Sequence, residues 1–126
     1  MAHEEALKLA GFEVHAFAEF GSYQGDFLAK ITYKGRDGYI HDYFGSCSFC
    51  DALEAELEAS NAHCQKHKYI HFDCDECRQA REVVLAKFSE RYYDQILTKE
   101  QALKKARENI KWDLEAQKMV DWLNAN

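Results

Sequence analysis

The chain has 126 residues, 47% of them apolar, and a formal net charge of −6. That is one domain's worth of chain with enough apolar mass for a core, which excludes a disordered acidic tail. The acidic balance argues against non-specific attraction to nucleic acid or anionic lipid, and no apolar run approaches the roughly 20 residues that span a bilayer.

Residues 3–10 read as a short helix closed by Gly11. In 12–20, Phe12, Val14, Ala16, Ala18 and Phe20 recur at period two, the pattern of a half-buried strand. Gly21 and Gly25 bracket a turn, and 26–34 alternates again through Phe27, Ala29, Ile31 and Tyr33. Lys34-Gly35-Arg36-Asp37-Gly38 has the composition of a hairpin loop. Tyr39 to Phe44 is a third strand whose inward face is ambiguous: either Ile40 and Phe44, or Tyr39, His41 and Tyr43. Short loops make an antiparallel meander the natural arrangement.

The second half is helical. Asp51 with Glu54 reads as a capping box that starts a helix. Residues 61–73 break the helical pattern. A long helix follows Cys77, with Val84 or Leu85, Phe88, Tyr92 and Ile96 as its apolar stripe. Thr98 and Gln101 form a second capping-box candidate, ahead of Leu103, Ala106, Ile110 and Leu114 at helical spacing. Met119, Val120 and Leu123 extend the pattern, with Asp113 a candidate N-cap for a new helix. There is no proline and no linker, so 1–126 reads as a single α+β domain. The expected architecture is a three-stranded antiparallel β-meander followed by three to four helices packed on one face of it and stapled by a structural zinc.

That staple rests on two Cys-x-x-Cys knuckles, Cys47/Cys50 and Cys74/Cys77. Two close pairs of thiolates suit tetrahedral Zn²⁺. The acidic start, Met1-Ala2-His3-Glu4-Glu5, lacks the pattern of a signal peptide, so a cytoplasmic setting with reduced thiols is expected. Cys64, His67 and His71 are ligand-spaced and could substitute for one pair. For the pairs to meet, the helix from Asp51 must break between Asn61 and His67, because twelve remaining residues reach about 40 Å whereas five reach only about 17 Å. Buried inert thiols are the second reading and a redox dithiol the third.

Other chemistry is sparse. His41 and Asp42 are adjacent on a strand, so they point to opposite faces and do not cooperate directly. Glu19, Tyr23 and His41 mark a possible small-molecule or enzymatic site at the sheet end. Lys99, Lys104, Lys105, Arg107 and Lys111 offer a basic face for the alternative of a zinc-containing nucleic-acid-binding regulator, although a solvated face accounts for them more simply. Phe49, inside a tight knuckle, is the aromatic residue best placed for contact. With Asp51, Glu54, Glu56 and Glu58 it forms the expected partner-binding face, suited to a protein with a basic surface.

The stretch Gly45-Ser-Cys-Ser-Phe-Cys-Asp-Ala-Leu-Glu-Ala-Glu56 resembles a motif of small uncharacterised proteins of phages and other mobile elements. Tyr23-Gln-Gly-Asp26, Tyr33-Lys-Gly35 and the segment Trp112 to Leu123 fit the same resemblance. Phe49 stands where that motif often has Gly. The resemblance implies no catalytic residues. It implies a phage-encoded protein that binds and inhibits a host factor, such as a defence protein.

Overall fold

The computed structural model describes residues 2–45, 51–59, 74–108 and 115–126. Helix α1 (Ala2–Leu9) leads into three strands, β1 (Glu13–Gly21), β2 (Gly25–Tyr33) and β3 (Arg36–Phe44). Helix α2 (Ala52–Ala59) and helix α3 (Asp75–Ser89) follow, the latter running into a 3-10 turn over Glu90–Asp94. Helices α4 (Lys99–Arg107) and α5 (Ala116–Ala125) complete the described elements. The fold is α+β, with the strands in the order β1-β2-β3, both pairs antiparallel.

Local chemistry explains the connections. Gly11, at φ +97°, ends α1 in a left-handed turn, with the Gly11 amide donating to the Lys8 carbonyl and the Phe12 amide to that of Leu7. The β2–β3 hairpin is tighter than the expected five-residue loop. Lys34 and Gly35 both take positive φ, the geometry of a two-residue turn that matches strand twist, so β3 starts at Arg36. Thr98 and Gln101 complete a reciprocal capping box at α4.

Helices cover both faces of the sheet rather than one. On the first face Phe27, Ala29, Ile31, Ile40 and Phe44 pack with Ala6 and Leu7 of α1, Leu53 of α2, and Leu85, Phe88, Tyr92 and Ile96. On the second, Leu28, Tyr39 and Phe20 pack with Ala102 and Ala106 of α4 and with Ala116, Met119, Val120 and Leu123 of α5. The ambiguity of β3 has this physical cause: Ile40 and Phe44 enter one core, while Tyr39 enters the other.

The chain changes face at the edge of β3. Ile96 belongs to the first core and Leu97 packs on the second. Between them the backbone pairs with the strand: the Tyr39 amide donates to the Leu97 carbonyl (2.9 Å) and the Leu97 amide to that of Tyr39 (2.8 Å). Gly38 makes room for this crossing, since a Cβ there would run into the Ile96 side chain and the Leu97 carbonyl.

β1 also departs from expectation. Its register shifts between Val14 and Ala16, so His15 is the extra residue of a bulge. The shift reverses which side chains face which layer. Phe12, Val14 and Phe17 pack on the first core, whereas Ala18 and Phe20 pack on the second. The five-residue stripe expected from Phe12 to Phe20 is therefore split between two cores.

Candidate functional site

Two polar constellations and one cysteine pair carry the chemistry of the described residues. The first lies under the start of α2. Asp51 is 5% exposed, and its Oδ1 accepts the backbone amides of Leu53 (2.9 Å) and Glu54 (3.2 Å), which makes it the helix cap expected from sequence. Its Oδ2 accepts the Gly45 amide (2.9 Å), and His3 Nε2 lies 3.0 Å away. Burial pushes the Asp51 carboxyl up, but the Gly45 amide, His3 and the Glu54 amide together outweigh it and hold the group below its ordinary value. The His3 ring lies 4.7 Å from the Phe27 ring and 6.1 Å from that of Phe88. Glu19, half-buried on the same face, has its carboxyl pushed up by burial, partly offset by His3.

Asp51 therefore points inward. It is not part of an exposed partner-binding face, because it is buried and both carboxylate oxygens are committed to capping α2 and holding His3 and Gly45. Glu54 is half-buried, Glu56 and Glu58 are exposed, and Phe49 lies outside the described residues.

The second knuckle forms the beginning of α3. Cys74 is its N-cap residue, half-buried, and Cys77 in the first turn is fully buried. The helix starts at Asp75, two residues before the end of the knuckle rather than after it. Cys47, Cys50, Cys64, His67 and His71 lie outside the described residues, as does the expected break between Asn61 and His67. α2 itself is described as far as Ala59. Among the described residues no group of three or more His, Cys, Asp or Glu side chains is arranged to hold a metal.

The second constellation occupies the end of the sheet on the α4/α5 side. His41 Nε2 lies 2.5 Å from Asp26 Oδ2, and both residues are buried. They sit diagonally across β2 and β3, since Asp26 is opposite Tyr43 and Leu28 opposite His41. His41 Nδ1 is buried and has no hydrogen-bond partner among the described residues. The neighbouring Asp42 points to the other layer, as alternation requires, and accepts the Tyr92 hydroxyl. Burial, and then Asp42, push the Tyr92 phenol far above its usual range. Tyr23 and Tyr43 project from this end with 81% and 64% of their surface exposed. Beside them a cleft of about 250 Å³ is lined by Gln24, Gly25, Asp26, Tyr43 and Phe44.

The chain matches no known protein family, no curated protein and no solved structure. Its chemistry has to be read from its own side chains.

Of the residues proposed at the sheet end, Tyr23 and His41 belong there, whereas Glu19 faces the other layer near His3 and Asp51. Asp26 escaped the sequence reading. Its signal was a carboxylate two positions from Leu28 on an alternating strand, but linking it to His41 needs the register of the hairpin. His15 escaped for a similar reason: only the bulge brings its Nε2 to 2.7 Å from Thr32 Oγ1, whose hydroxyl donates to Asp37. Of the basic residues, Lys99, Lys104 and Arg107 are exposed, Lys105 donates to the His41 carbonyl (3.1 Å), and Lys111 lies outside the described residues. No helix among the described residues is long and apolar enough to cross a membrane.

Proposed function

We propose that this chain is a non-enzymatic interaction protein, a phage-encoded inhibitor that engages a basic surface on a host protein through the end of its sheet. The observation that carries the proposal is the exposure of Tyr23 in the β1–β2 turn and of Tyr43, which lines a cleft together with Asp26. Exposed tyrosines on a rigid scaffold provide large contact area at low entropic cost, and aromatic residues are enriched among the groups that dominate interface energies. Helices bury both sheet faces, so the sheet itself offers its strand ends and turns as rigid contact surface. The Gly45–Asp51 hydrogen bond starts the acidic helix α2 beside that same end, so Glu54 and Glu58 extend the acidic character that a basic partner would meet. The resemblance to small phage proteins supplies the setting.

Zn²⁺ belongs to this proposal as a structural ion that adds to folding free energy. Cys74 and Cys77 are its fixed pair. The remaining donors are Cys47 and Cys50, or else Cys64, His67 and His71. The first set, two Cys-x-x-Cys pairs, is preferred because four thiolates complete a closed tetrahedral site.

The test is capture of a host protein by the tagged chain, comparing wild type with a Y23A/Y43A double variant. Loss of capture by tenfold or more in the variant, with binding that weakens as salt rises, supports the proposal. Equal capture by both proteins contradicts it.

A further inference from the structure

We infer that the cleft at the sheet end is a binding site for an alkylammonium group, supplied by a lysine side chain of the partner. This rests on the reading of the sheet end as the contact face and names the chemistry of its centre. Three residues carry it. In the pairing of the strands Phe20 lies opposite Asp26, and Asp26 opposite Tyr43. Directly paired residues share a face with their Cβ atoms about 5 Å apart. Asp26 therefore has an aromatic residue opposite it on each neighbouring strand: Tyr43 lines the cleft with it, and Phe20 is buried in the core beneath.

Each flank has a defined support. Phe20 is 8% exposed and rests edge-on against Trp122, their ring centroids 6.5 Å apart. Tyr43 stands largely in solvent and, with Asp26, lines the cleft. His41 fixes the carboxylate from behind by holding Oδ2 at 2.5 Å, with its own side chain 1% exposed. A carboxylate beside the exposed Tyr43 ring combines two attractions for a cation: a charge-assisted hydrogen bond and the quadrupole of the ring.

The same geometry selects the kind of cation. A guanidinium binds a carboxylate best as a fork across both oxygens, and at Asp26 one oxygen is engaged by His41. A compact ammonium needs a single oxygen and leaves its methylene stem for the Tyr43 ring. The chain's own Lys105 does not fill this role, because its Nζ donates to the His41 carbonyl.

The experiment titrates the full chain with Nα-acetyl-lysine N-methylamide, following Tyr43 and Phe20 ring resonances by NMR. The arginine analogue and the uncharged norleucine analogue serve as comparisons. The expected result is saturable lysine binding with a Kd on the order of millimolar. It should be at least tenfold tighter than norleucine and tighter than arginine, and at least tenfold weaker in D26N. Because D26N also removes the partner of His41, Y43A provides a second variant at an exposed position, expected to weaken lysine binding at least threefold. Norleucine binding as tight as lysine, arginine binding tighter than lysine, or lysine binding unchanged in both variants overturns the ammonium site. The two readings fail separately: partner capture that depends on Tyr23 and Tyr43 but not on Asp26 overturns this site and leaves the contact face standing.

Discussion

Tyr39 and Leu97 exchange a pair of backbone hydrogen bonds, and at that point the chain passes from one face of the sheet to the other. The crossing needs Gly38, against whose Cα the Ile96 side chain and the Leu97 carbonyl are packed. Adding a methyl group there is overpacking that must push the crossing away from β3. G38A is expected to destabilise the fold by about 1–3 kcal/mol, read by chemical denaturation. G35A should behave differently: no atom lies within 4 Å of a Cβ at that position, so its effect comes from backbone strain at φ +77° alone.

Asp51 gives a pH-dependent prediction. Its folded-state carboxyl lies below the ordinary value of 3.8, so the stability it contributes is present in full above that value and is lost as pH falls through the folded one. D51A removes the α2 cap and leaves the Gly45 amide and His3 without their acceptor. The expected loss is about 2–4 kcal/mol at pH 7. Denaturation of wild type and D51N should show a gap at pH 7 that closes as pH drops below about 4. A gap that stays constant down to pH 2.5 contradicts the assignment.

The bulge at His15 makes a prediction about chain length rather than side-chain chemistry. Deleting His15 joins the Val14–Ile31 and Ala16–Lys30 pairs into regular alternation, so Phe12, Val14 and Phe17 keep the layer they share. The deletion should therefore retain cooperative unfolding, and H15A, which removes only an exposed hydrogen bond to Thr32, should cost about 1 kcal/mol or less. Circular dichroism during a thermal ramp checks both, and a deletion variant without a cooperative transition contradicts the bulge assignment.

Much of the fold was legible in the residues. The alternation of Phe27, Ala29 and Ile31, the Thr98–Gln101 box and the spacing of Met119, Val120 and Leu123 all reflect local rules that the structure obeys. The second helical layer was not legible, because Leu28 falls opposite the Phe27–Tyr33 stripe and looks outward until a helix covers it, and β3 alone could not choose between Ile40 and Tyr39. Neither was the split of β1: a bulge adds a residue without changing composition, so period-two counting runs straight through it. At the sheet end Tyr23 and His41 could be named, but Asp26 could not. Its significance depends on Phe20, His41 and Tyr43, which come from two other strands, and a single-strand pattern carries no cross-strand information. Asp51 illustrates the opposite case: its capping role was readable, yet His3, 48 residues away, is what commits it to the interior.

Metal analysis of protein purified under reducing conditions tests the zinc proposal. One Zn²⁺ per chain is expected, lost in C74S and in C77S. The C47S/C50S double variant is expected to lose it too, and a C64S/H67A double variant to retain it. Metal retained by C47S/C50S replaces that pair with donors from Cys64, His67 and His71, and no zinc in the wild type removes the ion from the account.

Hydrogen exchange on the chain with and without its captured partner tests the contact face most directly. The account predicts new protection in the β1–β2 turn and the adjoining strand ends, Phe20 to Asp26 and His41 to Gly45, with α4 unchanged. Protection confined to α4 around Lys99, Lys104 and Arg107, with the sheet end exchanging as in the free protein, would contradict it.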